Sequence, residues 1–154
     1  MVRICFLFLV AVSLGCGRST EKYKKPVQVA YIDSVVNRLD SSFGQDKEEV
    51  RIGGPSVFRE PFSVVKCFRF ADSLPQKVVI RKLDSAYESF HFYFSNGNLI
   101  KATFYANVSN QVSRVGSQYY ERGKLIYAES LRYIDRPERV LSCADSVFGI
   151  CSRN

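Results

Sequence analysis

A single imidazole, His91, is available in the 154 residues. No His-Glu-x-x-His pair and no Cys/His zinc set can therefore be assembled. Nucleophilic chemistry fares little better. His91 shares one face of an alternating segment with Ser89 and Tyr93, but no Gly-x-Ser-x-Gly elbow presents a serine. Glu48, Glu49, Glu60 and Glu88 are scattered, with no spacing that sets two carboxylates together for acid–base work. Gly53-Gly54-Pro55 lacks the Lys-Ser/Thr end of a phosphate-binding loop and reads as a turn. Cys67 becomes a reactive thiolate only where a cation such as Lys66 or Arg69 depresses its pKa, and burial is the ordinary state of such a thiol. The expectation is a protein that is not an enzyme and holds neither metal nor cofactor.

The chemistry that is legible sits at the N-terminus. Arg3 precedes an apolar run from Ile4 to Val12, which continues through Ser13-Leu14-Gly15-Cys16 and turns polar at Gly17-Arg18-Ser19-Thr20. The run is too short for the roughly 20 apolar residues of a membrane-spanning helix, and its order of charge, apolar stretch and small residues is that of a secretory signal. Gly15-Cys16 resembles the lipobox of bacterial lipoproteins, although Ser13 stands where that family usually has Leu. The resemblance covers residues 1–16. It implies that the thiol of Cys16 takes a diacylglycerol and that Cys16 becomes the mature N-terminus. With Gly17 rather than Asp after the cysteine, it further implies the outer membrane.

Cleavage after residue 15 removes one charge, Arg3, so 139 of the 154 residues remain and the net charge falls from +7 to +6. With Cys16 acylated, Cys67, Cys143 and Cys151 are left, an odd number. An oxidising compartment favours one bridge and one residual thiol. Pairing Cys67 with Cys143 or Cys151 closes a loop of roughly 80 residues, worth about 4.5 kcal/mol in the chain-entropy model, whereas Cys143 to Cys151 is worth only about 2.6. All three could equally be reduced and buried as small hydrophobes. Residues 16–26, rich in lysine and closed by Pro26, read as the anchor and a tether. Residues 27–154 form one domain, of a size that buries about two-thirds of its unfolded surface.

The elements of that domain follow from periodicity. Ile32, Val35, Val36, Leu39 and Phe43 recur at helical spacing between Val27 and Phe43, and Gly44 supplies the stop. Asp46 to Pro55 is polar and reads as a loop. From there the period becomes two. Phe62–Phe70 and Lys77–Leu83 are predicted strands joined through Asp72-Ser73-Leu74-Pro75. Ala86–Ser95 and Asn98–Ala106 flank Asn96-Gly97, the strongest short-range hairpin signal. A regular two-residue hairpin sets Ser95 opposite Asn98, Phe94 opposite Leu99 and Phe92 opposite Lys101, and so places Phe90, Phe92 and Phe94 on a face with Leu99 and Thr103.

The same unit recurs 26 residues on, where Tyr119-Tyr120-Glu121-Arg122-Gly123-Lys124-Leu125-Ile126-Tyr127-Ala128 aligns with Tyr93 to Ala102. The pattern resembles the hairpins of MORN-variant repeat proteins and of small periplasmic meander lipoproteins. That resemblance carries no catalytic residues. Asp135-Arg136-Pro137-Glu138 has the form of a capping box, and Val140, Leu141, Ala144, Val147 and Phe148 continue at helical spacing to Gly149. The fold class is α+β: an N-terminal helix, about six antiparallel strands in a meander, and a short C-terminal helix. Both helices are expected on one sheet face, leaving the other partly apolar and open.

Basic residues interleaved with tyrosine and phenylalanine can track nucleic acid. The secretory address and a modest +6 argue against it, so no nucleic-acid partner is expected. Asp33-Ser34-Val35, Asp72-Ser73-Leu74, Asp84-Ser85-Ala86 and Asp145-Ser146-Val147 look like the Asp-Ser-aliphatic O-glycosylation sites of some bacterial envelopes. Local capping chemistry competes as an explanation. The reading is a lipid-anchored envelope module that holds an envelope protein through a sheet face or edge. The alternative is a binder of a small apolar ligand or glycan, with Phe90, Phe92, Phe94, Tyr119 and Tyr127 as the binding face.

Overall fold

The computed structural model describes residues 25–43, 48–50, 62–70, 73–82, 88–108, 111–130 and 136–153. Cys16, most of the tether, Gly44, Gly53-Gly54-Pro55, the Asp84-Ser85-Ala86 triplet and Asp135 lie outside the described residues. Helix α1, Val27–Ser42, is followed by strands β1 (Glu48–Val50), β2 (Phe62–Phe68), β3 (Lys77–Lys82), β4 (Ser89–Ser95), β5 (Asn98–Val108), β6 (Gln111–Glu121) and β7 (Lys124–Ser130), and then by helix α2, Pro137–Cys151. The strands form one antiparallel sheet in sequence order. This is the expected α+β meander, with one strand added. Within the stretch read as a loop, Glu48, Glu49 and Val50 pair with Cys67, Lys66 and Val65. Three residues, two of them glutamates, carry no period-two signal, and only a neighbouring strand makes them a strand.

Both helices form where expected, but their ends differ in detail. Helix α1 buries Val29, Ile32 and Val36. Helix α2 begins with Pro137 at its first position, which suits a residue lacking an N–H, and Arg136 caps it with no side-chain hydrogen bond. It runs through Gly149 to Cys151, because Val147 and Cys151 are both buried in the core and the last turn is worth forming.

The two helices lie on opposite faces, which corrects the expectation of a shared face. Helix α2 packs Val140, Cys143, Ala144, Val147 and Cys151 onto Val65, Val78, Ile80, Phe92, Phe94, Leu99, Ala102 and Tyr120. Helix α1 packs Val29, Ile32 and Val36 onto Tyr93 and Tyr119, and its end Phe43 onto Phe68 and Val79. Strands β3 to β6 thus bury side chains on both faces, and the result has three layers, helix on sheet on helix.

The repeat is structural. In both hairpins the two turn residues have positive φ: 50° and 75° at Asn96 and Gly97, 49° and 73° at Arg122 and Gly123. Both then carry a bulge at the same place. Phe94 faces Leu99 but Tyr93 faces Lys101, leaving Ile100 extra; Tyr120 faces Leu125 but Tyr119 faces Tyr127, leaving Ile126 extra. The expected pairing of Phe92 with Lys101 is therefore wrong. Phe92 faces Ala102, and Thr103 joins His91 on the α1 side. A regular register would have driven the Lys101 ammonium into the phenylalanine cluster, at the cost of a buried unpaired charge; the bulge turns it to the other face.

Cys67 on β2 and Cys151 at the end of α2 form a disulfide across 84 residues of sequence, with Cα atoms 5.8 Å apart. Cys143 keeps its thiol, buried in the same cluster. The bridge ties the last turn of α2 to a strand near the sheet's beginning. Cys67→Ser is expected to lower the unfolding free energy by about 4 kcal/mol, the scale for a loop of this length. Urea titration measures this, and a non-reducing peptide map that joined Cys143 instead would refute the pairing.

Candidate functional site

Beneath α1 one cross-strand row reads Lys77, Tyr93, Lys101, Tyr119, Tyr127, each residue opposite the next on strands β3 to β7. Cations alternate with phenol rings as far as Tyr119, a second tyrosine follows, and no aliphatic residue occupies the row. Two aspartates of α1, seven residues and so about two turns apart, reach into it. Asp40 accepts from Lys77 Nζ at 2.6 Å and from the Tyr93 hydroxyl at 3.0 Å. Asp33 accepts from Lys101 Nζ at 2.8 Å, the Tyr119 hydroxyl at 2.9 Å and Lys25 Nζ at 2.5 Å. Lys25 and Lys101 lie over the Tyr119 ring, at 5.2 and 5.0 Å from its centroid, and Lys77 lies over Phe68 and Tyr93.

These contacts set the local proton affinities. Burial alone would raise the Asp33 carboxyl, but hydrogen bonds from Lys101 and Lys25, the Lys101 charge and the Tyr119 hydroxyl together hold it below the usual carboxylate range. Burial works against the Lys25 ammonium as well, and its bonds to Asp33 and Tyr119 outweigh that, so its affinity is raised. Tyr119 is pushed up to about 12, chiefly by burial and then by its bond to Asp33. Burial and the Asp40 charge raise Tyr93 further still. Together these contacts make an ionic seam that positions a helix.

His91 lies one row further along the same face, opposite Val79 and Thr103. Its Nε2 is 3.3 Å from Ser89 Oγ and its ring is 4.5 Å from that of Tyr105. Burial, then the Lys77 charge, lower its pKa to about 4. Among the described residues, Nδ1 meets no hydrogen-bond partner, so no acid orients the ring toward Ser89 as a catalytic pair requires. The described residues also hold no group of three or more metal-ligating side chains. Three serines of the Asp-Ser-aliphatic triplets bond locally: Ser34 to the Tyr31 carbonyl, Ser73 to that of Phe70 and Ser146 to that of Ser142.

The five aromatics proposed as one binding face do not share one. Phe90, Phe92 and Phe94 belong to the α2 side, with Phe94 against Phe148 at 4.8 Å, while Tyr119 and Tyr127 belong to the α1 side. Phe92 and Tyr119 are wholly buried. With both faces covered, the sheet is left with two edge strands, β1 and the longer β7. Strand β7 ends the sheet, and among the described residues nothing pairs with its outer side. Lys124, Leu125 and Ala128 are exposed along it. It holds no proline, and of the features that blunt an edge strand it carries Lys124, Glu129 and the bulge at Ile126.

Compared with known proteins, the chain matches no family model, no curated protein and no solved structure. Among the described residues, no helix is long and apolar enough to cross a membrane.

Two outcomes test the seam and the histidine. Asp33→Ala is expected to cost about 2–3 kcal/mol, less than the loss of one partner from a fully buried pair because Asp33 keeps a quarter of its surface in water. Lys25→Ala, whose side chain is 35% exposed, costs less than about 1 kcal/mol. Urea unfolding ranks the two, and equal losses would sink the seam. His91 binds its proton more weakly folded than unfolded, so its contribution is complete above its ordinary value of 6.5 and declines as pH falls toward about 4. Unfolding free energy is expected to be about 1–2 kcal/mol lower at pH 5 than at pH 7, a difference that His91→Gln abolishes. Asp33 contributes its own loss only at lower pH, as its depressed carboxyl is protonated.

Proposed function

We propose that the chain is a non-enzymatic, lipid-anchored protein of the cell envelope that holds a partner protein along the β7 edge. One observation carries this reading: each sheet face is covered by its own helix, while among the described residues the outer backbone of β7 pairs with nothing and Lys124, Leu125 and Ala128 are exposed along it. A strand laid against such an edge gains main-chain hydrogen bonds, and its alternate side chains supply specificity. The signal-like run and Cys16 support the anchor, acylated at the thiol, with Gly17 favouring the outer membrane. The competing reading, an apolar ligand held by Phe90, Phe92, Phe94, Tyr119 and Tyr127, draws less support, since those rings divide between two packed layers.

The anchor and the edge are tested separately. Mass spectrometry of the N-terminal peptide from membranes is expected to find Cys16 carrying diacylglycerol. A photo-crosslinking residue at Leu125 is expected to trap an envelope protein in cells. Ala128→Lys, which places a charge on the edge, should reduce that adduct at least about tenfold, because a buried unpaired lysine opposes strand addition. Tyr31→Ala, on the outer side of α1, should leave it unchanged. An adduct indifferent to Ala128→Lys would refute the edge.

A further inference from the structure

The geometry points to a second contact: the β6–β7 turn, with Arg122 and Lys124 at its tip, rests on anionic lipid headgroups and orients the domain on the bilayer. The inference builds on the anchored reading above and adds which part of the domain meets the membrane.

The point where the chain enters the domain is beside this turn. Lys25 is bound to Asp33 and lies 3.3 Å from the Tyr119 hydroxyl, two residues before Glu121. In the first turn of the helix, the Gln28 amide donates to the Glu121 carboxylate. The start of α1 is thus fastened to the β6–β7 hairpin at two places. The nine residue steps from Cys16 to Lys25 span at most about 30 Å even fully extended, so an acylated Cys16 keeps this end of the molecule close to the bilayer. Arg81 and Arg114 lie in one row with Ser89 and Tyr105 at the opposite end of the strands, with Arg114 about 17 Å along β6 from Tyr119.

The turn itself suits such a surface. Arg122, Gly123 and Lys124 are all exposed, and a Cβ added at Gly123 would meet nothing within 4 Å. Arg122 also stands at a φ of 49°, a left-handed conformation that side chains other than Asn and Asp rarely adopt. The equivalent position of the first hairpin is Asn96, a residue suited to it. Local backbone preference therefore does not account for arginine at the second tip, whereas attraction to phosphate-bearing headgroups does. Beside it, Glu121 has its carboxylate engaged by Gln28 rather than held toward the tip.

The test uses the chain from residue 16 with Cys16→Ser, so that an acyl group does not mask weak adsorption, and vesicles of phosphatidylcholine with or without phosphatidylglycerol. Arg122→Asn with Lys124→Gln removes two charges and keeps the turn compatible with its φ. Each basic residue near an anionic surface contributes about fivefold, so this variant should partition onto the anionic vesicles about 25-fold more weakly than the parent. Arg81→Gln with Arg114→Gln, the same change of charge at the far end, should stay within about twofold of the parent. Equal losses in the two variants, an unchanged tip variant, or a parent that ignores anionic vesicles would each overturn the proposal. Failure of the anchored reading is seen separately, as an unacylated Cys16 peptide from membranes, and leaves the vesicle result standing on its own.

Discussion

Asp33 and Asp40 hold the first layer of the molecule to the second. An α-helix laid across a sheet is usually fixed by interdigitated apolar side chains, which tolerate sliding by a fraction of a turn. Here the helix face has apolar anchors at Val29, Ile32 and Val36, but it meets a row of lysine and tyrosine. Two carboxylates two turns apart choose among the phenols and ammonium groups, and each choice is specific in distance and angle. Moving the helix by one residue would strand Lys101, which is 7% exposed, without its carboxylate. The seam sets position and the apolar contacts supply most of the energy.

The seam depends in turn on the paired bulges. Ile100 and Lys101, and likewise Ile126 and Tyr127, can face α1 together only because one extra residue follows each Gly turn. The bulge thus sorts the residues after it: Ala102 joins Leu99 on the apolar α2 side, and Lys101 and Thr103 go to the α1 side. The Thr103 and Ser117 hydroxyls, both buried and 3.2 Å apart, satisfy each other in the row beyond. The hairpin repeat is a device for placing the phenylalanines of β4 on one face and the lysine and tyrosine row on the other.

Closing both faces has a consequence for interaction. A sheet with one bare face could bind across it; this one is left with its edge and the ends of its hairpins. The edge offers backbone hydrogen bonds and the β6–β7 tip offers charge, and the two belong to the same strand, which brings the proposed partner site and the proposed membrane contact into one corner. The tether enters at that corner as well.

Much of the fold was legible from residue order. Period-two runs, Asn96-Gly97 and its echo at Gly123, and the helical stripes at Ile32 to Phe43 and Val140 to Phe148 are local signals, and each produced its element. Asp33 and Asp40 lie outside the apolar stripe of α1, and the one available hint to their role was lysine at strand positions that a covered face should fill with apolar side chains. Which face each helix covers, the bulged register, the three-residue β1 and the choice of Cys151 for Cys67 were settled only when the layers met. They depend on where a charge can be paired and where a thiol comes within reach of another, and those distances exist only between segments that folding brings together.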